Sequence, residues 1–199
     1  MVDYSYTECS SAVMQALACA RERFPGAFDA EIAEALRRGA HFLRSKQRDD
    51  GSWEGSWGVC FTYGTWFGVS GLLAAGAQPG TDPALARACA FLLARQRTVD
   101  GAWGEHPASC SERRYVQHPE GQVVMTSWAL LALVRAGCDD REAMARAVRF
   151  LASKQRADDG GWPRESWAGV FNRTCMINYD NYRLYFPVWA LGEWLNSGV

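Results

Sequence analysis

What this sequence lacks narrows its function before any motif is considered. It has no charge imbalance: 21 basic and 22 acidic residues leave a formal net charge of -1, with no electrostatic reason to expect nucleic acid. Histidine is scarce, occurring only at His41, His106 and His118. The seven cysteines (Cys9, Cys19, Cys60, Cys89, Cys110, Cys138 and Cys175) include no Cys-x-x-Cys pair. Such an odd, scattered set argues against a disulfide scaffold and a structural zinc site, and suits a reducing compartment. No apolar run reaches the ~18 residues that span a bilayer, and a polar opening with Asp3 and Glu8 does not read as a secretory leader. Convincing strand alternation is missing as well, so the reading is all-α.

What the sequence has in excess is aromatic rings, among them nine Trp in 199 residues, enough chain for one domain with a sizeable core. They concentrate in Asp50-Gly-Ser-Trp-Glu-Gly-Ser-Trp-Gly-Val-Cys-Phe-Thr-Tyr-Gly-Thr-Trp-Phe67, where Trp53, Trp57, Phe61, Tyr63, Trp66 and Phe67 alternate with glycines. Glycine lets the main chain turn tightly and lets rings approach it closely. Two readings stay open: a helix corner sealed by indoles, or an aromatic wall facing a cationic ligand.

Spacings of three and four predict a helix over 10–24, with Val13, Met14, Leu17, Ala20 and Phe24 on one face. Asp29 is the expected N-cap of a second helix carrying Ile32, Ala33, Leu36, Ala40 and Leu43. A third is expected over 63–77, and Asp82-Pro83 opens a fourth. Residues 104–121 read as irregular, 123–136 as an apolar helix closed by Gly137, Asp140 as the next cap, and 187–196 as the last helix.

An internal repeat organises these helices. Arg38…Phe42-Leu43…Gln47…Gly51-Ser-Trp53 recurs as Arg87…Phe91-Leu92…Gln96…Gly101-Ala-Trp103 and as Arg146…Phe150-Leu151…Gln155…Gly160-Gly-Trp162. In each copy (38–53, 87–103, 146–162) a helix ends near Gln, an Asp-containing turn follows and Trp folds back. The expected roles are structural: the Gln amide satisfies groups at helix ends and the indole packs over it, stacking helical hairpins side by side.

These three copies resemble the QW motifs of the triterpene cyclases, and Gly55-Ser-Trp-Gly-Val-Cys-Phe-Thr-Tyr-Gly-Thr65 narrows the resemblance to the oxidosqualene cyclases. Tyr4-Ser-Tyr-Thr-Glu-Cys-Ser-Ser-Ala-Val-Met-Gln15 resembles a segment that follows their catalytic region. The stretch from Val170 through Phe171, Cys175, Ile177 and Tyr179 to Gly192 resembles their C-terminal end. The resemblance runs from about Asp3 to Trp194. It implies an incomplete (α/α) barrel spanning residues 1–199, and conversion of 2,3-oxidosqualene to a sterol precursor (lanosterol or cycloartenol) through an acid-initiated cation cascade, with no cofactor and no metal. Such chemistry needs a strong acid, ring faces for cations and exclusion of water.

Carried over residue by residue, the resemblance makes Cys9 the thiol that supports the catalytic acid, and Trp57 and Phe171 the cation-facing rings. Tyr179 matches a tyrosine near the later cation positions, and Cys175 and Ile177 match substrate-facing positions that influence the product. The family's acid motif, Asp-Cys-Thr-Ala-Glu, occurs nowhere in these residues, and Glu8 is a poor stand-in. The expectation is therefore a C-terminal portion whose acid comes from an N-terminal segment or second chain. Its apolar edges are open, and the full-length enzyme sits peripherally on a membrane or lipid droplet; alone, the chain is expected in the cytoplasm. The competing expectation is a non-catalytic partial barrel that binds apolar lipid. A prenyltransferase-like barrel would need a zinc site for which His41, His106 and His118 offer no paired cysteines.

Overall fold

The computed structural model describes residues 4–198; Met1–Asp3, part of the polar opening, and Val199 lie outside the described residues. Eight helices and one small hairpin follow in chain order: α1 (Thr7–Arg23), α2 (Asp29–Lys46), α3 (Cys60–Ala74), α4 (Pro83–Leu93), α5 (Ala108–Glu112), α6 (Val123–Ala136), α7 (Arg141–Lys154), β1 (Gly169–Phe171), β2 (Cys175–Ile177) and α8 (Tyr182–Asn196). α1, α3, α6 and α8 pack side by side as an inner row, and α2, α4 and α7 back them from outside. The inner α3 and α6 are buried around most of their circumference, whereas α2 buries only Ile32, Leu36 and Leu43. This is the sequence difference between continuously apolar and one-faced helices.

Local cap chemistry decides several boundaries. Asp82 accepts from the Ala84 and Leu85 amides ahead of Pro83, Asp140 accepts from the Ala143 amide, and Gly137 closes α6 at φ 70. Asp29 departs from expectation: it lies inside α2 after a left-handed Phe28, and its carboxylate accepts from the upstream Gly26 amide. The last helix starts at Tyr182, five residues ahead of the expected Pro187, because Tyr182 and Phe186 pack edge-on against Trp128 at 5.9 and 5.4 Å. The loop over 104–121 contains the single turn α5. The expected absence of strand is corrected by β1–β2, an antiparallel pair in which Gly169, Val170 and Phe171 face Ile177, Met176 and Cys175.

The three repeats share one hydrogen-bond plan. Trp53, Trp103 and Trp162 are buried, and their indole N–H groups donate to the carbonyls of Leu43, Leu92 and Leu151 at 2.7, 2.8 and 2.8 Å. The indole therefore serves the helix end, the task expected of the glutamine. The Gln amides work between hairpins. Gln47 Nε2 donates to Gly51 O at 3.0 Å and to Ala84 O at 2.8 Å; Gln96 Nε2 donates to Gly101 O and Ala143 O, both at 2.7 Å. Arg87 and Arg146 donate back to the Oε1 atoms of Gln47 and Gln96. Gly51 and Gly101 have φ of +89 and +73, and a Cβ there would lie 2.3 Å from Arg87 O and 2.5 Å from Arg146 Cβ, so only glycine lets consecutive hairpins close up. Among the described residues, Gln155 bonds within its own turn to Gly160 O. The third copy thus keeps the turn bond, without a bond to a further hairpin among the described residues.

Candidate functional site

The aromatic stretch divides between the two readings left open by its sequence. Trp53, Phe61, Tyr63 and Trp66 are buried, with Tyr63 lying across Gly55 and Gly58 and Trp66 stacked on Trp128 at 6.3 Å. Trp57 turns the other way and is half-buried, its ring 5.3 Å from that of Phe171, which is 49% exposed. The corner is core; Trp57 and Phe171 form the outward-facing pair.

Trp57 is held by its main chain from two sides. On one, Glu8 Oε1 accepts from the Ser56 and Trp57 amides at 2.6 and 2.9 Å. On the other, the Val170 amide donates to Trp57 O at 3.1 Å and the Val59 amide to Ala168 O at 2.9 Å, with Gly58 bridged to Gly169. The hairpin tip turns through Asn172 and Arg173 at φ 50 and 64, and Arg173 reaches Glu54 at 3.5 Å. Beyond β2, the Tyr179 ring lies on Gly169, where a Cβ would come within 2.5 Å of it, and stacks on Tyr182 at 4.8 Å.

Two buried glutamates, Glu8 and Glu105, and the partly buried Glu165 accept from backbone amides. Glu105 accepts from the Phe61 and Thr62 amides at 2.9 and 2.8 Å and from Thr62 Oγ1, covering the start of α3. Glu165 Oε2 accepts from the Val123 amide at 2.5 Å, at the start of α6. Glu8 makes the third such contact. Burial raises all three carboxyls above the ordinary range, Glu165 to about 7, while the amide donors hold them down. Burial, with Glu8 nearby, also pushes the Tyr63 hydroxyl up, and Tyr182 is pushed up to about 12 by burial.

Between α6 and α8 a shallow recess opens to solvent, lined by Gln122, Met125, Glu165, Tyr179, Tyr182 and Arg183. Gln122 Nε2 is buried in it without a partner among the described residues.

The residues expected to form a site therefore gather. Trp57, Phe171, Cys175, Ile177 and Tyr179 lie on one loop and the hairpin paired with it; Cys175 is exposed and Ile177 half-buried. Cys9 is exposed on α1, one residue past Glu8. Sequence reasoning missed Glu105 and Glu165, whose partners lie far away in the chain and leave no local signature. His106 and His118 stack at 5.9 Å, and no group of three His, Cys, Asp or Glu among the described residues is arranged to hold a metal ion.

Comparison with known proteins follows this geometry. Residues 1–196 match the family model described as squalene-hopene cyclase C-terminal domain. The chain is 53% identical over 196 residues to lanosterol synthase of Homo sapiens, covering 97% of this chain and 26% of that protein. It is 50% identical over 195 residues to cycloartenol synthase of Dictyostelium discoideum, covering 98% and 27%. It thus spans about a quarter of the length of these curated relatives. Among solved structures, ent-copalyl diphosphate synthase from Streptomyces platensis aligns at TM-score 0.62 and 22% identity, over 97% of this chain and 32% of that one. A protein from Actinoplanes aligns at 0.63 and 23% identity, over 98% and 56%; both likenesses concern the fold alone.

Proposed function

This chain belongs to the squalene-hopene cyclase C-terminal domain family, and on that premise we propose that it forms the ring-bearing part of a triterpene cyclase acting on 2,3-oxidosqualene. The observation that carries the reading is the outward pair of Trp57 and Phe171, 5.3 Å apart, with the Tyr179 ring packed on Gly169 of the same hairpin. Ring faces attract a cation with no nucleophile to capture it. In this reading Tyr179 lies beside the later cation positions, Cys175 and Ile177 shape the product, and Cys9 supports an acid contributed from outside these residues. Oxidosqualene dissolves in lipid, so the reaction is placed at a membrane or lipid-droplet face.

The test is a chimera in which this chain replaces the C-terminal quarter of human lanosterol synthase, expressed in a strain lacking lanosterol synthase. Growth without added sterol, lost on Trp57→Ala, is the expected result. A folded chimera that forms no cyclised product refutes the catalytic reading. If the chain alone then retains an apolar lipid, the second reading stands, a non-catalytic lipid-binding partial barrel.

A further inference from the structure

Glu8 has no part in the reading above, yet its geometry is specific. The residue is 3% exposed, and a single oxygen accepts from two consecutive amides, those of Ser56 and Trp57, 49 residues away from it for the second. Two successive N–H groups converging on one oxygen form an anion-binding nest. The Trp57 carbonyl is taken at the same time by the Val170 amide at 3.1 Å. The peptide units on both sides of the Trp57 Cα are therefore fixed, one from α1 and one from β1, and the indole has nothing left to set but its own rotamer. Glu8 Oε2 is buried without a hydrogen-bond partner among the described residues, so the side chain keeps this pose for one oxygen's contacts only.

We propose that Glu8 is the positioning residue for Trp57, clamping the main chain between α1 and the hairpin so that the Trp57 and Phe171 rings present one wall to a cation. The proposal rests on the cation-binding reading of that wall. What the clamp requires is reach rather than charge. Glutamine preserves the reach and an accepting oxygen; aspartate keeps the charge but is one methylene too short to meet both amides from α1.

The experiment uses the whole chain in four forms: wild type, Glu8→Gln, Glu8→Asp and Glu8→Ala. Amide hydrogen exchange is read at Ser56 and Trp57 by NMR, with the amides of α6 as an internal reference, and affinity is measured for dimethyldodecylammonium, an apolar chain carrying a cation. The expected pattern is exchange at least tenfold faster at Ser56 and Trp57 in the Asp and Ala variants, with α6 unchanged. The Gln variant stays within about threefold of wild type, and amine affinity falls at least fivefold in step with lost protection. If the Ala variant does not fold, the Asp and Gln pair decides. Protection kept by Asp and lost by Gln overturns the proposal, because charge and not reach would then be the requirement. Unchanged protection in both overturns it too. Wild type that ignores the amine overturns the cation reading instead, and the exchange pattern still decides whether Glu8 holds the loop.

Discussion

Replacing Glu165 by glutamine should stabilise this protein above neutral pH. Glu165 accepts from the first amide of α6, a place where a carboxylate ordinarily helps by complementing the helix dipole. Here burial wins, raising its carboxyl from an ordinary 4.5 to about 7. The sign follows from linkage. Because the folded-state value is the higher one, the native chain holds a proton that the unfolded chain releases, so the stability contributed by Glu165 is complete below pH 4.5 and is lost as the pH rises through about 7. At about 1.4 kcal/mol per pH unit, that window amounts to about 3 kcal/mol. Glutamine cannot ionise, and its Oε1 still accepts from the Val123 amide. Glu165→Gln should therefore match wild type near pH 4.5 and exceed it by about 1–3 kcal/mol at pH 8, or very roughly 3–10 °C in Tm for a chain of this length. Thermal and urea melts of both proteins across pH 4.5 to 8 measure it. A variant less stable than wild type at pH 8, by the ~0.5–1 kcal/mol of a lost charged cap, would refute the reasoning.

Three further outcomes follow from the frame and the ring pair. Gln96→Ala should cost about 1–2 kcal/mol, because Gln96 joins the α4 and α7 hairpins through Ala143 O and Arg146, whereas Gln155→Ala removes only a bond within its own turn and should cost under about 0.5 kcal/mol in urea unfolding. Trp103→Phe should lower stability by about 2–4 kcal/mol, combining a lost bond to Leu92 O with a cavity beneath a fully buried indole; a change below ~1 kcal/mol would show that the repeat tryptophans do not lock the helix ends. Trp57→Ala should reduce cyclised product from the chimera by about 10-fold or more, while Trp57→Phe retains most of it.

How much of this was legible in sequence depends on how far apart the interacting residues lie. Asp82 and Asp140 were readable as caps because their amides are two or three residues away. The repeat was readable because Gln and Trp recur at fixed offsets from the end of a helix, although which of them served the helix end was not. The glutamates at the site have partners 42 to 49 residues distant, and nothing beside Glu8, Glu105 or Glu165 announces them. The β1–β2 hairpin escaped for a different reason. Its strands are three residues each and its tip is Asn172-Arg173, with no glycine to mark the two left-handed positions. Asp29 misled because Phe28 adopts a left-handed conformation that no phenylalanine advertises.

The frame and the site also pull against each other, which explains why the glutamates lie where they do. Stacking hairpins by the Gln–Trp plan brings the starts of α3 and α6 to the end where Trp57, Phe171 and Tyr179 gather, and helix starts carry partial positive charge. Left bare, those amides would repel the cation that the proposed function requires the rings to hold. Glu105 covers the start of α3, Glu165 the start of α6, and Glu8 the amides leading into α3. Buried carboxylates are costly, and Glu8 and Glu105, with the partly buried Glu165, call for a reason that stability does not supply. For a cation-binding wall the reason is direct: the periodic scaffold leaves helix-start amides at that end, and residues outside the period cover them. It follows that Glu105→Gln and Glu165→Gln, even where they stabilise the fold, should each weaken binding of an apolar ammonium. Stability and cation affinity moving in opposite directions would mark these carboxyls as functional.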